Sequence, residues 1–560
     1  MFDNTKPNII LLSDKTDSVE MNRTLGVHKL AHCLREAGYE VAVIHFLSVF
    51  TVEEIKHLLR NLVSDKTLFV GVSNYFYLPV DSVDIDQSGS IEFKKTQPGC
   101  ILPHGPQFNR PIKNLIKQLN PNCQLVVGGP SALDTEYNKI FDYVVLGYAE
   151  MSSVALANYL KDPTNQLSIK TYKSVYGPTI IDDSKAVGYD FSSSYMDFSD
   201  HDAILPGETL LLEIGRGCIF KCAFCSHPLN GKKKLDYIRD HDSIRTELMT
   251  NYERFGTTNY IIIDDTFNDS VEKCKQFYEM TQTLPFKINW WAYIRLDLMA
   301  AHPETIEYLF DSGLRAAFFG IETLNPKVGA KIGKGGTRDK LFSTARYIKD
   351  KYGDRVNLHG SFIFGLPHES LDSMRESARF LLSDDNPLDS WMLQVCRINS
   401  QDINDTWASD MDKNYQKYGY TNLDELNQEE APPGWETGGD DSGSGWKPVL
   451  LKGMNWKNEY TSRDEVEELV NEIYKNKNDK LHGSVSFNIA SLGIPIDTVL
   501  NKKMSEHNWY AYDFLKLKRG QQYKKLLYNK LGIPEFLSDL SGVRTYSELL
   551  KSGLLIKESE

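Results

Sequence analysis

The sequence predicts an α/β protein in which two parallel-sheet domains are followed by a mostly helical C-terminal region. Short apolar strands alternate with amphipathic helices over residues 1–165, and a second alternation of six strand–helix units covers residues 206–400. Three cysteines stand directly after the first strand of the second alternation. With 560 residues, the chain is too long for one hydrophobic core. We therefore expect domains at 1–165 and 206–400, a connector at 166–205 and a C-terminal region at 401–560.

Composition excludes several classes of protein. The formal net charge of −13 argues against bulk attraction to nucleic acid, and the run Lys232–Lys234 is interpreted as a solvated surface stretch. No apolar run approaches the roughly 20 residues of a membrane span, and the first residues lack the pattern of a signal peptide. Eight cysteines in a chain of this length do not form a disulfide framework. A reducing cytoplasm is the expected location.

The first domain is predicted to be a doubly wound, Rossmann-like sheet. Its strands are expected near residues 8–12, 40–45, 68–73, 124–127 and 143–146, with helices at 25–38 and 52–62. Ligands of such sheets bind beyond the carboxyl ends of the strands. No G-x-G-x-x-G follows the first strand, so a dinucleotide is not favoured. An insertion at about 79–110, rich in Pro, Gly, Asp and Ser, is expected to cover the ligand cleft.

The cysteine segment predicts a metal centre. Cys218, Cys222 and Cys225 are spaced C-x3-C-x2-C in a loop that follows the apolar run 209–215. Thiolates suit iron–sulfur clusters or zinc. A structural zinc site would need a fourth ligand, and His227 lies only two residues beyond the third cysteine. Three cysteines on a cubane cluster would leave one iron open for a ligand. A zinc knuckle remains the alternative.

The second domain is predicted to be an open, six-stranded relative of the TIM barrel. Its strands are expected near residues 210–214, 260–263, 288–293, 316–320, 358–364 and 391–395. In parallel barrels the chemistry gathers at the carboxyl ends of the strands. That rule selects, after the cysteine loop, the following candidates: Asp264, Asp265 and Thr266; Arg295 and Asp297; Glu322 and Thr323; Gly365, Leu366 and Pro367; and Arg397 and Asn399.

The cysteine loop, with Phe224 before its third cysteine, resembles the signature loop of the radical S-adenosylmethionine (SAM) superfamily. Segments 263–267, 320–323 and 360–369 resemble that family's motifs on strands two, four and five. The resemblance implies that the three cysteines hold a 4Fe-4S cluster, which cleaves SAM reductively to a 5′-deoxyadenosyl radical. It also implies SAM contacts for Phe224, Asp265, Glu322 and Ser361. Asp265 and Glu322 have a loop cap or surface acid as their alternative, and Arg295 is either a cofactor ligand or a structural ion pair.

The first domain resembles the cobalamin-binding domain found ahead of many radical SAM cores. The similar segments are Arg23-x2-Gly26 and residues 34–38, 70–73, 126–129 and 142–150. The resemblance implies a cobalamin site that includes Ser73, Gly128 and Gly129, and methylation of an unactivated carbon. Two departures stand out: D-x-H-x-x-G is absent, and residues 147–150 read Gly-Tyr-Ala-Glu instead of Gly-Glu-Gly-Glu. A domain that binds no corrin is the alternative, and the reaction would then be a rearrangement, cyclisation or oxidation.

The remaining features constrain the substrate only weakly. The Gly- and Asp-rich segment 432–446 is interpreted as a lid or a linker, and the aromatic stripe in a helix at 507–528 as core. Cys396 is a possible hydrogen donor, with a buried core cysteine as the favoured alternative. We expect a small-molecule or peptide substrate and an electron donor such as flavodoxin or ferredoxin. A tRNA-modifying enzyme and a non-catalytic iron–sulfur or zinc protein are the competing hypotheses.

Overall fold

The structure is a computed structural model with two compact units. It describes residues 6–13, 23–50, 52–73, 110–129, 138–167, 169–183, 188–227, 231, 237–399, 408–425, 454–476 and 509–536. The first unit takes its described residues from 1–190, 196–208 and 507–560, and the second from 191–195 and 209–506. Across these described segments, no helix combines the length and the apolarity that a membrane crossing requires.

The first unit contains one seven-stranded sheet. Its strands are β1 (Ile9–Leu12), β2 (Val41–Ile44), β3 (Phe69–Ser73), β4 (Gln124–Gly128), β5 (Tyr143–Gly147), β6 (Lys170–Lys173) and β7 (Thr179–Asp183). They lie in the order β2-β1-β3-β4-β5-β7-β6, and every pair is parallel except β6 with β7. Strand β2 lies on one side of β1, and the chain then crosses to β3 on the other side of β1. The crevice at which such sheets bind ligands therefore lies between the carboxyl ends of β1 and β3.

Helices cover both faces of this sheet. Ile9 and Leu11 pack into one core with α1 (Leu25–Glu36) and α4 (Glu150–Lys161). Ile10 and Leu12 point to the opposite core, which contains α2 (Val52–Leu62) and α3 (Arg110–Leu119). Because side chains alternate along a strand, a run that is apolar at every position is buried on both faces. The predicted doubly wound domain is confirmed.

The boundaries of this unit differ from the predicted ones in two places. Strands β6 and β7 fall inside the expected connector at 166–205, where they extend the sheet beyond β5. The last described helix, α14 (Trp509–Leu531), belongs to the first unit and not to a continuous C-terminal region. Tyr523 is buried in the core with α2 and α3, and its hydroxyl accepts a hydrogen bond from the His45 backbone amide at 2.9 Å. The side chains of the predicted aromatic stripe, 509–517, lie outside the described residues.

The second unit contains a six-stranded, fully parallel sheet. Its strands are β8 (Leu210–Leu212), β9 (Asn259–Ile262), β10 (Asn289–Ile294), β11 (Leu314–Glu322), β12 (Asn357–Phe364) and β13 (Ser390–Val395), paired in chain order. The helices between them are α5 (His241–Phe255), α6 (Val271–Gln282), α7 (Leu296–Ala301), α8 (Glu304–Asp311), α9 (Pro326–Ile332), α10 (Arg338–Tyr352) and α11 (Leu371–Leu382). Strands β8 and β13 form the two edges, so the sheet is open. The predicted partial barrel is confirmed.

Apolar side chains fill one face of this sheet. Ile261, Trp291, Ala316 and Phe318 pack together, and Tyr293 is partly buried against them. Their alternate positions on β9, β10 and β11 place them on the same face. Packed apolar side chains thus occupy the middle of this face, and the polar candidate residues follow the ends of the strands.

A smaller set of elements packs beside β13. They are α12 (Asp410–Lys413), the antiparallel pair β14 (Thr421–Glu425) and β15 (Met454–Lys457), and α13 (Arg463–Lys475). The Tyr474 hydroxyl donates to the Leu393 carbonyl at 3.0 Å. Ser462 and Glu465 form a capping box at the start of α13. Short 3₁₀ turns occur at Leu47–Val49, Asp200–Asp202, Gly353–Arg355 and Tyr415–Tyr418. Segment 432–446, Lys232–Lys234 and all but Arg110 of the insertion at 79–110 lie outside the described residues.

Candidate cofactor site at the strand ends

The cysteine loop follows β8, and its start is held by backbone hydrogen bonds with residues 237–239 and by the Asp264 side chain. Asp264, after β9, accepts hydrogen bonds from the backbone amides of Ile214 and Gly215 at 2.9 and 2.8 Å. Its other oxygen lies 2.8 Å from the Lys273 ammonium, and both side chains are almost fully buried. This is why β8 ends at Leu212, two residues before the predicted end. Asp264 thus holds the start of the loop in place.

The three cysteines of the loop are not cross-linked by disulfides. Cys218 is buried, whereas Cys222 and Cys225 are partly exposed. The Cys218 Sγ lies 3.6 Å from the Thr266 hydroxyl, and burial raises the pKa of this thiol to about 11. Uncrosslinked thiols with partial access to solvent are the donors that an iron–sulfur cluster needs.

No three His, Cys, Asp or Glu side chains of the described segments converge on a point where one metal ion would bind. The zinc alternative needs four ligands around a single ion. His227 instead lies 3.1 Å from the Asp265 carboxylate. A four-iron cluster imposes no such convergence, because each of its cysteines binds a different iron.

The middle of the loop is held by two distant parts of the chain. The Ala223 amide donates to the Ile332 carbonyl at 3.0 Å, and the Met411 amide donates to the Ala223 carbonyl at 2.9 Å. Gly333, which caps α9 with a φ of 84°, comes so close that an added Cβ would lie 3.4 Å from the Cys222 Cα. A glycine suits this position because it tolerates the left-handed conformation and the close approach.

Asp265 and Asp264 are neighbours in sequence but differ in environment. Asp265 keeps a quarter of its side chain exposed and has His227 as its ion partner. Burial, followed by the charge of Asp264, raises the pKa of Asp265 to about 7. The two carboxylate oxygens of Asp264 are instead occupied by the loop amides and by the Lys273 ammonium. Of the two, Asp265 is the carboxylate available to a ligand.

Arg295 lies between β10 and α7 and faces the cysteine loop. Its guanidinium forms a two-pronged pair with Asp297, at 3.0 and 2.6 Å, and its Nη1 lies 3.6 Å from the Cys222 Sγ. The Phe220 ring stacks on it at 4.1 Å. The structural ion pair, one of the two alternatives for Arg295, is thus present, and the same side chain also approaches one of the predicted cluster cysteines.

Glu322 ends β11 in an unusual conformation. Its φ is 69°, and the pairing register with β12 shifts between Gly320 and Glu322. A left-handed backbone costs a residue with a Cβ about 1–2 kcal/mol, and such strain is concentrated at functional sites. The Glu322 carboxylate lies 3.3 Å from the Lys334 ammonium, which also donates to the Gly320 carbonyl at 2.7 Å. Burial raises the pKa of Glu322, and the charge of Lys334 only partly offsets this.

Lys334 is a site residue that sequence reasoning missed. Its Nζ lies 5.9 Å from the centre of the Phe224 ring, so it joins Phe224 to Glu322. Its position in the turn Gly333-Lys334-Gly335-Gly336 was the only available signal, and a lysine among glycines is unremarkable in a sequence. Lys334 is recognised only in the structure, where this turn packs against the cysteine loop.

The ends of β12 and β13 are mainly structural. Ser361 is buried, opposite Gly320 of β11 and Met392 of β13. Glu369 accepts a hydrogen bond from the Thr323 hydroxyl at 3.0 Å, and burial raises the pKa of Glu369 to about 7. Cys396 is buried 3.6 Å from the Tyr420 hydroxyl, as favoured for a core cysteine.

In the first unit, Ser73 and Gly128 are partners at the carboxyl ends of β3 and β4. Gly129 follows with a φ of 125°. These residues lie beside the crevice between β1 and β3. The segments that follow β1, β3 and β4, residues 14–22, 74–109 and 130–137, lie outside the described part of the chain.

The comparisons with known proteins agree with this geometry. Residues 212–381 match the family model of the Radical SAM superfamily. An uncharacterized methyltransferase of Pyrococcus horikoshii is 26% identical over 287 residues, which are 48% of this chain and 60% of that protein. The bacteriochlorophyllide d C-12(1)-methyltransferase of Chlorobaculum tepidum is 25% identical over 172 residues, 30% of this chain and 36% of that protein. The chain thus spans less than two thirds of these relatives.

A solved structure shares the fold over nearly the whole chain. The radical S-adenosylmethionine methyltransferase TsrM of Kitasatospora setae, solved with cobalamin and a 4Fe-4S cluster, matches with a TM-score of 0.59 and 14% identity. The match covers 92% of this chain and 99% of that one. A second structure of TsrM, with tryptophan substrate and the SAM analogue aza-SAM, gives a TM-score of 0.58 at 13% identity over the same shares. The likeness establishes a common fold.

Proposed function

We propose that this chain is a cobalamin-dependent radical SAM methyltransferase that methylates an unactivated carbon of a small molecule. The observation that carries the proposal is the presentation of three cysteines without disulfides on one loop, at the carboxyl ends of a parallel sheet, with charged side chains after three neighbouring strands. A purely structural metal site would not need charged groups at successive strand ends. The methyltransferase names of the two sequence relatives, and the tryptophan bound to TsrM, support the reaction class and the size of the substrate.

Each group of residues fits one cofactor. Cys218, Cys222 and Cys225 would hold the 4Fe-4S cluster, since they lie on one loop and none of them forms a disulfide. Asp265, Glu322, Phe224 and Ser361 would contact SAM, and Ser73, Gly128 and Gly129 would line the cobalamin site. When bound, the cluster supplies one electron, taken from a donor such as flavodoxin or ferredoxin, to cleave SAM, and cobalamin supplies a methyl carrier.

The protein's own side chains prepare the site. Asp265 offers an acceptor for the ammonium group of SAM, and its partial exposure leaves it accessible. Glu322 and Lys334 place opposite charges side by side near Phe224. A ligand hydroxyl can donate to the Glu322 carboxylate, and a ligand carboxylate can accept from the Lys334 ammonium. The packed face formed by Ile261, Trp291 and Phe318 closes the sheet beneath the strand ends and keeps water from entering there.

The test is an anaerobic reconstitution with iron, sulfide and cobalamin, followed by absorbance, metal analysis and addition of SAM with dithionite. Bound iron and cobalt, with formation of 5′-deoxyadenosine, are the expected results. Iron and 5′-deoxyadenosine without bound cobalt would favour the second candidate, a cobalamin-independent radical reaction. Zinc in place of iron would refute the proposal.

A matched pair of cysteine variants sharpens the test. Cys222→Ala should abolish cluster assembly and SAM cleavage while the protein stays folded. Cys33→Ala removes a partly exposed thiol from α1 in the first unit and should change neither quantity. Full SAM cleavage by the Cys222 variant would contradict the assignment of the loop.

A further inference from the structure

We propose that Arg295 and Asp297 form a charge pair that sets the reduction potential of the cluster through the thiolate of Cys222. This inference rests on the cluster of the proposed function and assigns Arg295 a different role from that of a SAM ligand. Arg295 is a positioning residue in this proposal, because it would act on the cluster through a ligand cysteine.

The guanidinium is fixed on every side. Asp297 accepts from Nε and Nη2 at 3.0 and 2.6 Å, and the Gly333 carbonyl accepts from Nη2 at 3.0 Å. The Phe220 ring lies 4.1 Å from the guanidinium carbon. These contacts leave Nη1 directed at the Cys222 Sγ, 3.6 Å away. Since only 6% of the Arg295 side chain is exposed, solvent does not compete for this N–H group.

The backbone beneath the pair is fixed as well. The buried Asn268 side chain accepts from the Arg295 amide at 2.8 Å and donates to the Arg295 carbonyl at 2.9 Å. The Gly335 amide donates to the Asp297 carboxylate at 3.0 Å. The pair is therefore assembled before any cofactor binds, as electrostatic preorganisation requires.

The direction of the effect follows from charge. One-electron reduction adds a negative charge to the cluster, and a nearby cation with an N–H···S contact stabilises that charge. Arg295 should therefore raise the potential and make the cluster easier to reduce. Asp297 carries the opposite charge and should lower it. A pair held this tightly keeps the potential between the values that either residue alone would set.

The test is a redox titration with dithionite, followed by electron paramagnetic resonance, on reconstituted protein without SAM. Arg295→Gln should shift the midpoint to a more negative value, and Asp297→Asn should shift it in the opposite direction. We expect at least a tenfold change in the reduced-to-oxidised ratio at a fixed potential, which is about 59 mV for one electron. Arg295→Lys keeps the charge but loses the two-pronged contact with Asp297. Its midpoint should lie between those of Arg295→Gln and the unmodified protein.

Arg315→Gln is the matched control, because it removes the same charge at the amino end of β11, where Arg315 donates to two backbone carbonyls. Its midpoint should not move. Equal midpoints for all variants, at equal iron content, would overturn the inference and leave the proposed function intact. If Arg295→Gln fails to retain iron, an unchanged midpoint of Asp297→Asn is the overturning result. Failure of the unmodified protein to bind iron would refute the proposed function itself.

Discussion

The same substitution at the two adjacent aspartates after β9 should have two different effects. Asp264→Asn should destabilise the fold, and Asp265→Asn should weaken SAM binding without destabilising it. Asp264 supports the cysteine loop and pairs with Lys273 in a buried environment. Asp265 keeps a quarter of its side chain exposed and lies 3.1 Å from the His227 ring.

The magnitudes follow from burial. Breaking a buried ion pair by removing one partner costs about 3–5 kcal/mol. Asparagine keeps an acceptor for the two loop amides, and Lys273 retains Asp269 at 3.3 Å, so we expect the lower end, about 3 kcal/mol. A partly exposed pair such as Asp265 with His227 contributes about 0–1 kcal/mol. Because burial raises the pKa of Asp265 to about 7, the fold already disfavours its charge, and asparagine at this position should be neutral within about 1 kcal/mol.

Urea denaturation and titration calorimetry with SAM separate the two effects. Asp265→Asn should lower SAM affinity by at least about tenfold, since a hydrogen bond to a charged group is worth about 1.5–3 kcal/mol. The affinity of the unmodified protein should also fall as the pH drops below about 7, where Asp265 gains a proton and can no longer accept from an ammonium group. Equal destabilisation by both substitutions, or unchanged SAM affinity of Asp265→Asn, would refute this reasoning.

Three further predictions concern the strand ends. Burial raises the pKa of Glu369 to about 7, so the folded state retains a proton that the unfolded state loses above about pH 4.5. Stability should therefore fall by up to about 3 kcal/mol between pH 4.5 and 7, and Glu369→Gln should flatten this slope in urea titrations. Glu322→Ala should weaken SAM binding without loss of iron, and unchanged affinity would remove Glu322 from the site. Gly365→Ala should destabilise the fold by about 2 kcal/mol or more, because φ is 85° and the new Cβ would lie 2.5 Å from Trp456. Gly26→Ala in α1, where nothing lies within 4 Å, is the control and should be neutral or stabilising in the same denaturation assay.

The sequence predicted the parts of the fold that depend on local patterns. Runs such as Ile9–Leu12 are apolar at every position, which is a property of strands buried on both faces. The boundaries that it misplaced depend on distant partners. The strand β8 is shorter than predicted because the Asp264 side chain, which follows β9, accepts hydrogen bonds from the amides of Ile214 and Gly215. The final helix joins the first unit because its buried residues, including Tyr523, complete a core whose earlier members lie between Ile10 and Leu205.

By itself, the sequence determined that this protein has two parallel α/β domains, and that three cysteines with metal-binding spacing follow the first strand of the second. Those features are local, since a few consecutive residues fix a strand, a helix or a ligand loop. Only the tertiary structure decided which of two adjacent aspartates is buried under the cysteine loop and which stays partly exposed, that Arg295 reaches Cys222, and that Lys334 pairs with Glu322. These contacts join residues from different elements of the chain, and the order of the strands and the return of the turn after α9 bring them together.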